Sequence, residues 1–159
     1  MNPANSDLIF DQAGMDLVQL SESTKLTAYP DPGTGGAPWT NGIGHTGPDV
    51  YPGQVIDHAQ ALVWLSHDVE DAADTVRRLV SVPLNQNQFD ALVDLVFNIG
   101  EKQFASSTLL RKINAGDYAG AQEQFGRWNL SAGKVMGGLT NRRAAEADLF
   151  STTPTEAST

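Results

Sequence analysis

Residues 56–79 read IDHAQALVWLSHDVEDAADTVRRL, a regular helical pattern in a chain of 159 residues. Apolar side chains recur there at intervals of three and four residues: Leu62, Leu65, Val69, Ala72, Val76 and Leu79. Such a stripe predicts one long helix that buries a single face. Proline cannot continue a helix, so we expect this helix to end before Pro83. It separates two parts of the chain that differ in composition.

The part before this helix begins with a shorter helical pattern and continues as an irregular segment. We predict a first helix over residues 6–21, capped by Ser6. Its shared apolar face consists of Phe10, Ala13, Leu17 and Leu20. Between residues 30 and 53, frequent proline and glycine exclude a long helix. We therefore predict short strands and turns there, in an irregular β lobe over about residues 22–55.

The part after the long helix is predicted to be helical. Asn85 is a typical helix cap, and Gly100 predicts the end of the same helix, because glycine readily adopts a positive φ. Its apolar face consists of Phe89, Leu92, Val93, Val96 and Phe97. Further helices are predicted over 106–115, 117–128 and 139–149, before a polar tail at 151–159. The sequence thus predicts an α+β, mostly α fold: a single domain over 1–150, with a helical lobe over about 56–150 that includes the first helix.

Composition excludes several functional classes. The chain has 10 Lys and Arg against 19 Asp and Glu, a formal net charge of −9. We expect no nucleic-acid partner, because phosphate binding needs concentrated Lys and Arg. Without cysteine, and with three histidines that lack HExxH spacing, the sequence predicts no metal site and no cofactor. The acidity is uneven, with one basic and 11 acidic residues in 1–76 but nine and eight in 77–159.

No targeting or membrane-spanning segment is evident in the sequence. The first residues, MNPANSDLIFDQAG, lack the basic start and the apolar run of a signal peptide. Nothing approaches the roughly 20 apolar residues of a membrane span. We therefore expect a protein that is made in the cytoplasm and does not insert stably into a membrane. We also expect it to be a monomer.

Two local patterns resemble binding sites but have simpler interpretations. Residues 42–47 match the GxGxxG pattern, yet Pro38 and Pro48 flank them, which disfavours the strand and helix of a dinucleotide site. An acidic run lies on the long helix, opposite its apolar stripe: Asp68, Glu70, Asp71 and Asp74. We interpret this run as a solvated face rather than a cation site.

A pair of carboxylates is the more informative signal. Glu22 closes the first predicted helix, and Asp31 opens the irregular segment nine residues later. Two carboxylates that face one cleft are the usual equipment for breaking a glycosidic bond. Taken alone, two acids at this spacing are more often surface charges.

The residues around this pair are similar to a known family. After Glu22 come LTAYPD at 26–31 and WTNGIGHT at 39–46. The second half contains NQNQFDAL at 85–92, FNIG at 97–100, STLL at 107–110 and GLTNRRAAE at 138–146. In this order the segments resemble the phage-type lysozymes, the muramidases of glycoside hydrolase family 24, over about residues 16–150.

The resemblance implies roles for individual residues. It places the catalytic acid at Glu22, the second carboxylate at Asp31 and a water-positioning threonine at Thr40. Candidate substrate-binding residues are His45, Asn98, Trp39 and Arg142, and for each of these a purely structural role stays open. The chain departs from the family pattern at Ser23, at Asn41 and in a longer turn between Asp31 and Thr40.

The resemblance also implies a fold and a function. The expected fold is lysozyme-like, with a small Gly/Pro-rich β lobe and a larger helical lobe joined by the long helix. The expected activity is hydrolysis of the β-1,4 bond between N-acetylmuramic acid and N-acetylglucosamine in bacterial peptidoglycan, for cell lysis. Expected partners are peptidoglycan and a holin or another export route from the host cytoplasm. The alternatives are a non-catalytic module that binds cell-wall glycan, and an enzyme acting on another amino-sugar polymer such as chitin.

Overall fold

A computed structural model describes residues 1–131 and 133–154. The helices are α1 (Gln12–Ser21), α2 (His58–Leu79), α3 (Gln86–Ile99), α4 (Glu101–Ala105), α5 (Thr108–Asn114), α6 (Tyr118–Gln124) and α7 (Gly137–Ser151). The strands are β1 (Lys25–Tyr29), β2 (Thr40–Gly42), β3 (His45–Thr46), β4 (Leu130–Ser131) and β5 (Lys134–Val135). Short 3₁₀ turns cover Pro3–Asn5 and Phe125–Arg127. The predicted α+β, mostly α architecture is confirmed.

The β lobe is a small antiparallel sheet in the order β1-β2-β3. Tyr29 pairs with Thr40 across β1 and β2, and Asn41 pairs with His45 across β2 and β3. The GxGxxG segment is therefore a hairpin rather than a strand followed by a helix. Asn41 is fully buried, and its side-chain oxygen accepts the Gly42 N–H at 2.8 Å. A polar residue is thus satisfied where the family pattern has an aliphatic one.

Helix α2 connects this sheet to the helical lobe, as predicted. Asp57 caps its first turn by accepting the Gln60 N–H, and the helix ends at Leu79, before Pro83. Its stripe is buried at Leu65, Val69, Ala72 and Val76, whereas Leu62 near the start is 47% exposed. The buried part packs mainly against α3, so the core of the protein lies on the helical side.

Helix α3 is the centre of that core. Asn85 and Gln88 form a reciprocal capping box at its start, and Gly100 ends it with a φ of 89°. Its apolar side chains are buried at Phe89, Leu92, Val93, Leu95 and Val96. Helices α1, α2 and α7 all pack against it. Two aspartates, Asp90 and Asp94, are also fully buried on this helix.

Several predicted boundaries differ from the structure. Helix α1 begins at Gln12 rather than at residue 6, because Asp11 provides the cap by accepting the Ala13 N–H. Helix α7 extends over Gly137–Ser151, beyond the predicted 139–149. Helix α4 and the β4–β5 hairpin were not predicted. Of the predicted tail, residues 155–159 lie outside the described residues.

Over residues 1–131 and 133–154, every helix is too short or too polar to cross a bilayer.

A buried carboxyl group joins α1 to α3. Asp90 Oδ1 accepts the Asp11 N–H at 3.3 Å and the Gln86 amide at 2.9 Å. Asp90 Oδ2 is buried and has no hydrogen-bond partner among the described residues. Burial and the neighbouring Asp11 carboxylate raise the pKa of Asp90 to about 8. The folded protein therefore holds a proton on Asp90 at neutral pH, which the unfolded chain releases above its ordinary pKa of 3.8.

This proton makes stability depend on pH. Since only the folded state holds the proton between pH 4 and 8, Asp90 should lower the free energy of unfolding as pH rises through that range. We predict that Asp90→Asn, which keeps the shape without the charge, raises the free energy of unfolding by about 1–3 kcal/mol at pH 8.5 and by much less at pH 4.5. Urea unfolding at the two pH values measures this, with Asp148→Asn on the exposed side of α7 as control. Equal effects of Asp90→Asn at both pH values would contradict the assignment.

Candidate active site

Glu22 lies at the junction of α1 and the β lobe. It is the residue that ends α1, and its own N–H donates to the Val18 carbonyl at 2.8 Å. Its side chain is only 23% exposed and is directed toward the β2–β3 turn. A Cβ added at Gly44 would lie 3.4 Å from Glu22 Oε2, and Gly44 has a φ of 71°. Glycine at this position therefore allows both the turn and the close approach of the carboxylate.

The other oxygen of Glu22 binds a buried arginine. Arg142 of α7 donates from Nη1 to Glu22 Oε1 at 2.6 Å. The same guanidinium donates from Nε and Nη2 to the two oxygens of Asp94, at 3.0 and 2.8 Å. Arg142 is 4% exposed, and these two carboxylates occupy its charged edges. This position differs from the one expected of a substrate-binding residue: Arg142 is the charge partner of Glu22.

Asp31 and Thr40 lie on the β lobe. The Asp31 N–H donates to the Gly36 carbonyl at 2.9 Å, and its carbonyl accepts the Gly35 N–H at 2.8 Å, so the backbone is fixed in the turn after β1. Its half-buried carboxylate makes no hydrogen bond to another described side chain. Thr40 is half-buried on β2, opposite Tyr29. The structure thus brings Thr40 beside β1 and leaves Asp31 two residues beyond the end of that strand.

Tyr29 links these residues to Glu22. Burial and the charge of Glu22 raise the pKa of Tyr29, against a hydrogen bond with Thr40 that lowers it. Tyr29 is also the residue that pairs with Thr40 across β1 and β2. Tyr29 was quoted within the family pattern but was not predicted as a site residue.

A cavity of about 470 Å³ opens beside Gly44, between the β lobe and the helical lobe. Its lining comes from the β2–β3 turn, α2, α3 and α4: Gly44, Thr46, Asp68, Asp71, Ala72, Asp74, Thr75, Arg78, Val96, Phe97 and Glu101. Three residues of the acidic run are in this lining, so that run is a wall of the cavity as well as a solvated face. Arg78 on α2 pairs with Glu101 on α4 at 2.6 Å. The cavity has the size of a small-ligand site and adjoins Glu22 through Gly44.

His45 is held on three sides. Its Nδ1 lies 2.7 Å from Asp68 Oδ2, its Nε2 lies 2.9 Å from Asp49 Oδ1, and its ring stacks on Trp64 at a centroid distance of 4.3 Å. Only the protonated imidazolium donates from both nitrogens. Burial opposes this charge, but the hydrogen bonds to Asp68 and Asp49 outweigh it and raise the pKa of His45. With both nitrogens occupied, His45 supports the β lobe on α2.

Asn98 and Trp128 border a second cavity of about 470 Å³ at the end of α3. Asn98 Oδ1 accepts from Arg143 Nη1 at 2.9 Å, so Asn98 both satisfies a buried arginine and lines this space. Trp39 is half-buried just before β2. Asn98 thus has a structural contact with Arg143, and its role in substrate binding stays a prediction. Among the described residues, no three His, Asp or Glu side chains are arranged to hold a metal ion.

Asp94 is the residue at this site that the sequence interpretation missed. It is fully buried, and it binds Arg142 through both carboxylate oxygens. A signal was present: Asp90 and Asp94 are one helical turn apart within an otherwise apolar helix. A buried charge requires a partner, so each aspartate pointed to a polar contact within the core. The sequence does not identify which cation supplies that contact.

Comparison with known proteins places the site in a family. The phage lysozyme family matches residues 19–146 of this chain. The endolysin of Bacillus phage PZA is 46% identical over 87% of this chain and 54% of its own length. The endolysin of Salmonella phage P22 is 40% identical over 86% of this chain and 94% of its own length. The muramidase domain of SpmX from Asticaccaulis excentricus superposes with a TM-score of 0.82, at 33% identity, covering 92% of this chain and 99% of that domain.

The match in length differs between these relatives. The chain spans about half the length of the Bacillus phage endolysins that it matches, but almost all of the endolysin of phage P22.

The contacts of His45 predict a second pH-dependent contribution to stability. Because the folded-state pKa is raised, this stability is fully present below about pH 6.5 and is lost as pH rises through the raised pKa. We predict that His45→Gln lowers the free energy of unfolding more at pH 5.5 than at pH 9, by about 1–2 kcal/mol. The matched control is His67→Gln, since His67 is 79% exposed and lies 3.6 Å from Asp71. The assignment fails if His45→Gln costs the same at both pH values.

Proposed function

Because the chain belongs to the phage lysozyme family, we propose that it hydrolyses the β-1,4 bond between N-acetylmuramic acid and N-acetylglucosamine in bacterial peptidoglycan. One observation carries the proposal: the half-buried Glu22 carboxylate stands against Gly44, and Gly44 is one of the residues that line a cavity of about 470 Å³. Such a cavity is large enough for sugar rings, and a glycosidic oxygen held beside Gly44 would be close to Glu22.

Glu22 is the proposed general acid. In glycoside hydrolysis, a carboxylic acid protonates the leaving oxygen while the sugar develops oxocarbenium-ion-like charge. Oε1 is bound by Arg142 at 2.6 Å, and both carboxylate oxygens lie close to Gly44. The arginine thus fixes the orientation of the carboxyl group, and Oε2, which Arg142 does not bind, is the oxygen proposed to carry and donate the proton.

Asp31 and Thr40 are proposed to act from the β lobe. An ionised Asp31 would stabilise the positive charge that develops on the sugar, or orient the attacking water. Thr40 would hold that water through its hydroxyl group. Tyr29, which pairs with Thr40 on the neighbouring strand, would orient this hydroxyl group. A water held between the carboxylates corresponds to inversion of the anomeric centre, the outcome that the family resemblance favours.

The surroundings of the site offer surfaces for the glycan. Phe97 and Thr46 line the first cavity, and Asn98 and Trp128 line the second. Trp39 lies beside Thr40, where an aromatic ring can stack on a sugar. His45 contributes by holding the β2–β3 turn, and with it Gly44, against α2.

Two alternatives have less support. A module that binds cell-wall glycan without cutting it would not need a carboxylate held by Arg142 at the cavity edge. An enzyme for chitin would use the same acid, and the masses of products released from peptidoglycan and from chitin distinguish the two substrates.

We also propose that the protein acts on the cell wall as a monomer and that it reaches the wall through a holin or another export route.

The acid role is tested by removing the proton donor. We predict that Glu22→Gln lowers the lysis of purified cell walls at least about a hundredfold while the protein stays folded, because glutamine keeps the shape but cannot act as an acid. Turbidity loss and near-ultraviolet circular dichroism measure the two effects, with Glu123→Gln on the exposed surface of α6 as control. Equal activity of wild type and Glu22→Gln would overturn the assignment. A wild type that binds walls without cutting them would support the binding module.

The acidic wall of the cavity predicts an unusual response to salt. Asp71 and Asp74 line the approach to the site and should repel anionic wall polymers at low ionic strength. We predict that lytic activity rises about two- to tenfold between 10 and 100 mM NaCl, as the Debye length shortens to about 10 Å. Asp71→Asn should flatten this rise, whereas Asp7→Asn, away from the cavity lining, should not. A steady fall of activity with salt would contradict this interpretation.

A further inference from the structure

Glu22 shares its arginine with a second carboxylate that faces away from the cavity. Arg142 gives one donor to Glu22 and two to Asp94, which lies on α3 within the core. Asp94 is fully buried, whereas Glu22 is 23% exposed. The guanidinium also stands 5.9 Å from the centre of the Phe97 ring, so its remaining surface is packed. One cation thus serves a buried carboxylate and the proposed catalytic one.

The charges around this arrangement come from three elements. Glu22 faces Arg142 from α7 and the Tyr29 phenol from β1, and Asp94 stands behind Arg142 on α3. Further along α7, the buried pair Arg143 and Glu146 adjoins Asp94. Burial and the negative charge of Asp94 raise the pKa of Glu146. Two arginines therefore act on Asp94: Arg142 binds both of its oxygens, and the charge of Arg143 also reaches it.

Because Arg142 binds both Glu22 and Asp94, it stabilises the ionised form of Glu22 less than an unshared arginine would. A guanidinium against a carboxylate favours its ionised form, and a general acid must hold its proton until the transition state. A second carboxylate on the same guanidinium cancels part of that positive charge, since the two negative groups act on one cation in a poorly solvated site. Two bonds to Asp94 also fix the plane of the guanidinium, and so the direction in which Nη1 meets Oε1 of Glu22.

We propose that Asp94 is a positioning residue for the reaction, which fixes Arg142 beside Glu22 and offsets its charge so that Glu22 keeps a bound partner and can still hold a proton. The proposal rests on the proposed function, because it concerns the acid of that reaction. Asp94 is fully buried and both of its oxygens bind Arg142, so it acts through Arg142 and not on the substrate.

The test is the pH profile of Asp94→Asn. Asparagine keeps the shape and one acceptor for Arg142 but removes the negative charge, so Arg142 acts on Glu22 with its full charge. The alkaline limb of the activity profile reports loss of the proton from the acid. We expect this limb to move to lower pH by about half to one unit, with a three- to tenfold loss of activity at pH values above it. The loss should lie in kcat, with little change in KM.

Asp90→Asn is the matched control. It makes the same amide-for-carboxyl substitution one turn earlier on the same helix, at a residue that is equally buried but contacts Asp11 and Gln86 instead of Arg142, so it controls for the packing of an amide at this depth. Measured well below the unfolding temperature, its alkaline limb should coincide with that of wild type. The release of reducing ends from purified peptidoglycan between pH 4 and 10 gives all the profiles.

A double variant covers the case in which Asp94→Asn does not fold. Asp94→Asn with Arg142→Gln removes both charges together and leaves neither Asp94 nor Arg142 as an unpaired buried charge. Glu22 then faces an amide, so the alkaline limb should move to higher pH, opposite to the single variant. An unmoved limb in Asp94→Asn, or a shift of both variants in the same direction, would overturn the proposal. These two outcomes would leave the proposed function intact as long as wild type is active and Glu22→Gln is not. An inactive wild type would overturn the proposed function itself.

Discussion

The buried guanidinium of Arg142 is the contact on which the site depends. It joins α1, through Glu22, to α3, through Asp94, and it belongs to α7. A cation that is 4% exposed requires carboxylates around it, because an unpaired buried charge is strongly destabilising. Asp94 meets most of this need through two bonds, and Glu22 accepts the remaining donor. The docking of α7 on α3 therefore also sets the position of the carboxylate at the end of α1.

A second contact holds the opposite side of the cavity. His45 lies between Asp49 and Asp68 and stacks on Trp64, and so attaches the β2–β3 turn to α2. Gly42 lies against the same helix, where an added Cβ would stand 3.4 Å from both the Ala61 backbone and the Trp64 ring. The β2–β3 turn, which carries Gly44, is thus fixed on α2 independently of the contact between Glu22 and Arg142. A change at either contact would alter the distance between Glu22 and the β lobe.

The helices that follow from local sequence were predicted well. Asn85 and Gly100 bound α3 as expected, because a capping box and a positive φ are determined within a few residues. The predicted start of α1 at residue 6 was wrong, because more than one residue could cap this helix. Serine and aspartate are both good caps, and contacts with α3 favour Asp11, whose N–H is bound by Asp90.

The site was predictable only in part. The family pattern predicts Glu22, Asp31 and Thr40 as site residues, and these lie close together in the sequence. The partner of Glu22 lies 120 residues further on, and nothing in the spacing distinguishes Arg142 from Arg143 beside it. Helical geometry turns the two side chains in different directions, so that Arg143 meets Asn98 and Glu146 instead. Such a difference follows from how α7 docks on α3, which a local pattern does not contain.

The net charge of −9 has a more specific meaning once these contacts are known. Asp94 and Glu146 are buried within the network of arginines, and Asp90 holds a proton at neutral pH, so none of them contributes an ordinary surface charge. Asp49 and Asp68 face a histidine whose pKa they raise. Of the acids on α2, Asp71 and Asp74 line the cavity, and Asp74 also pairs with Arg77 at 2.8 Å. Because exposed charges act only over about a Debye length, this placement matters more for an anionic polymer at the site than the total charge does.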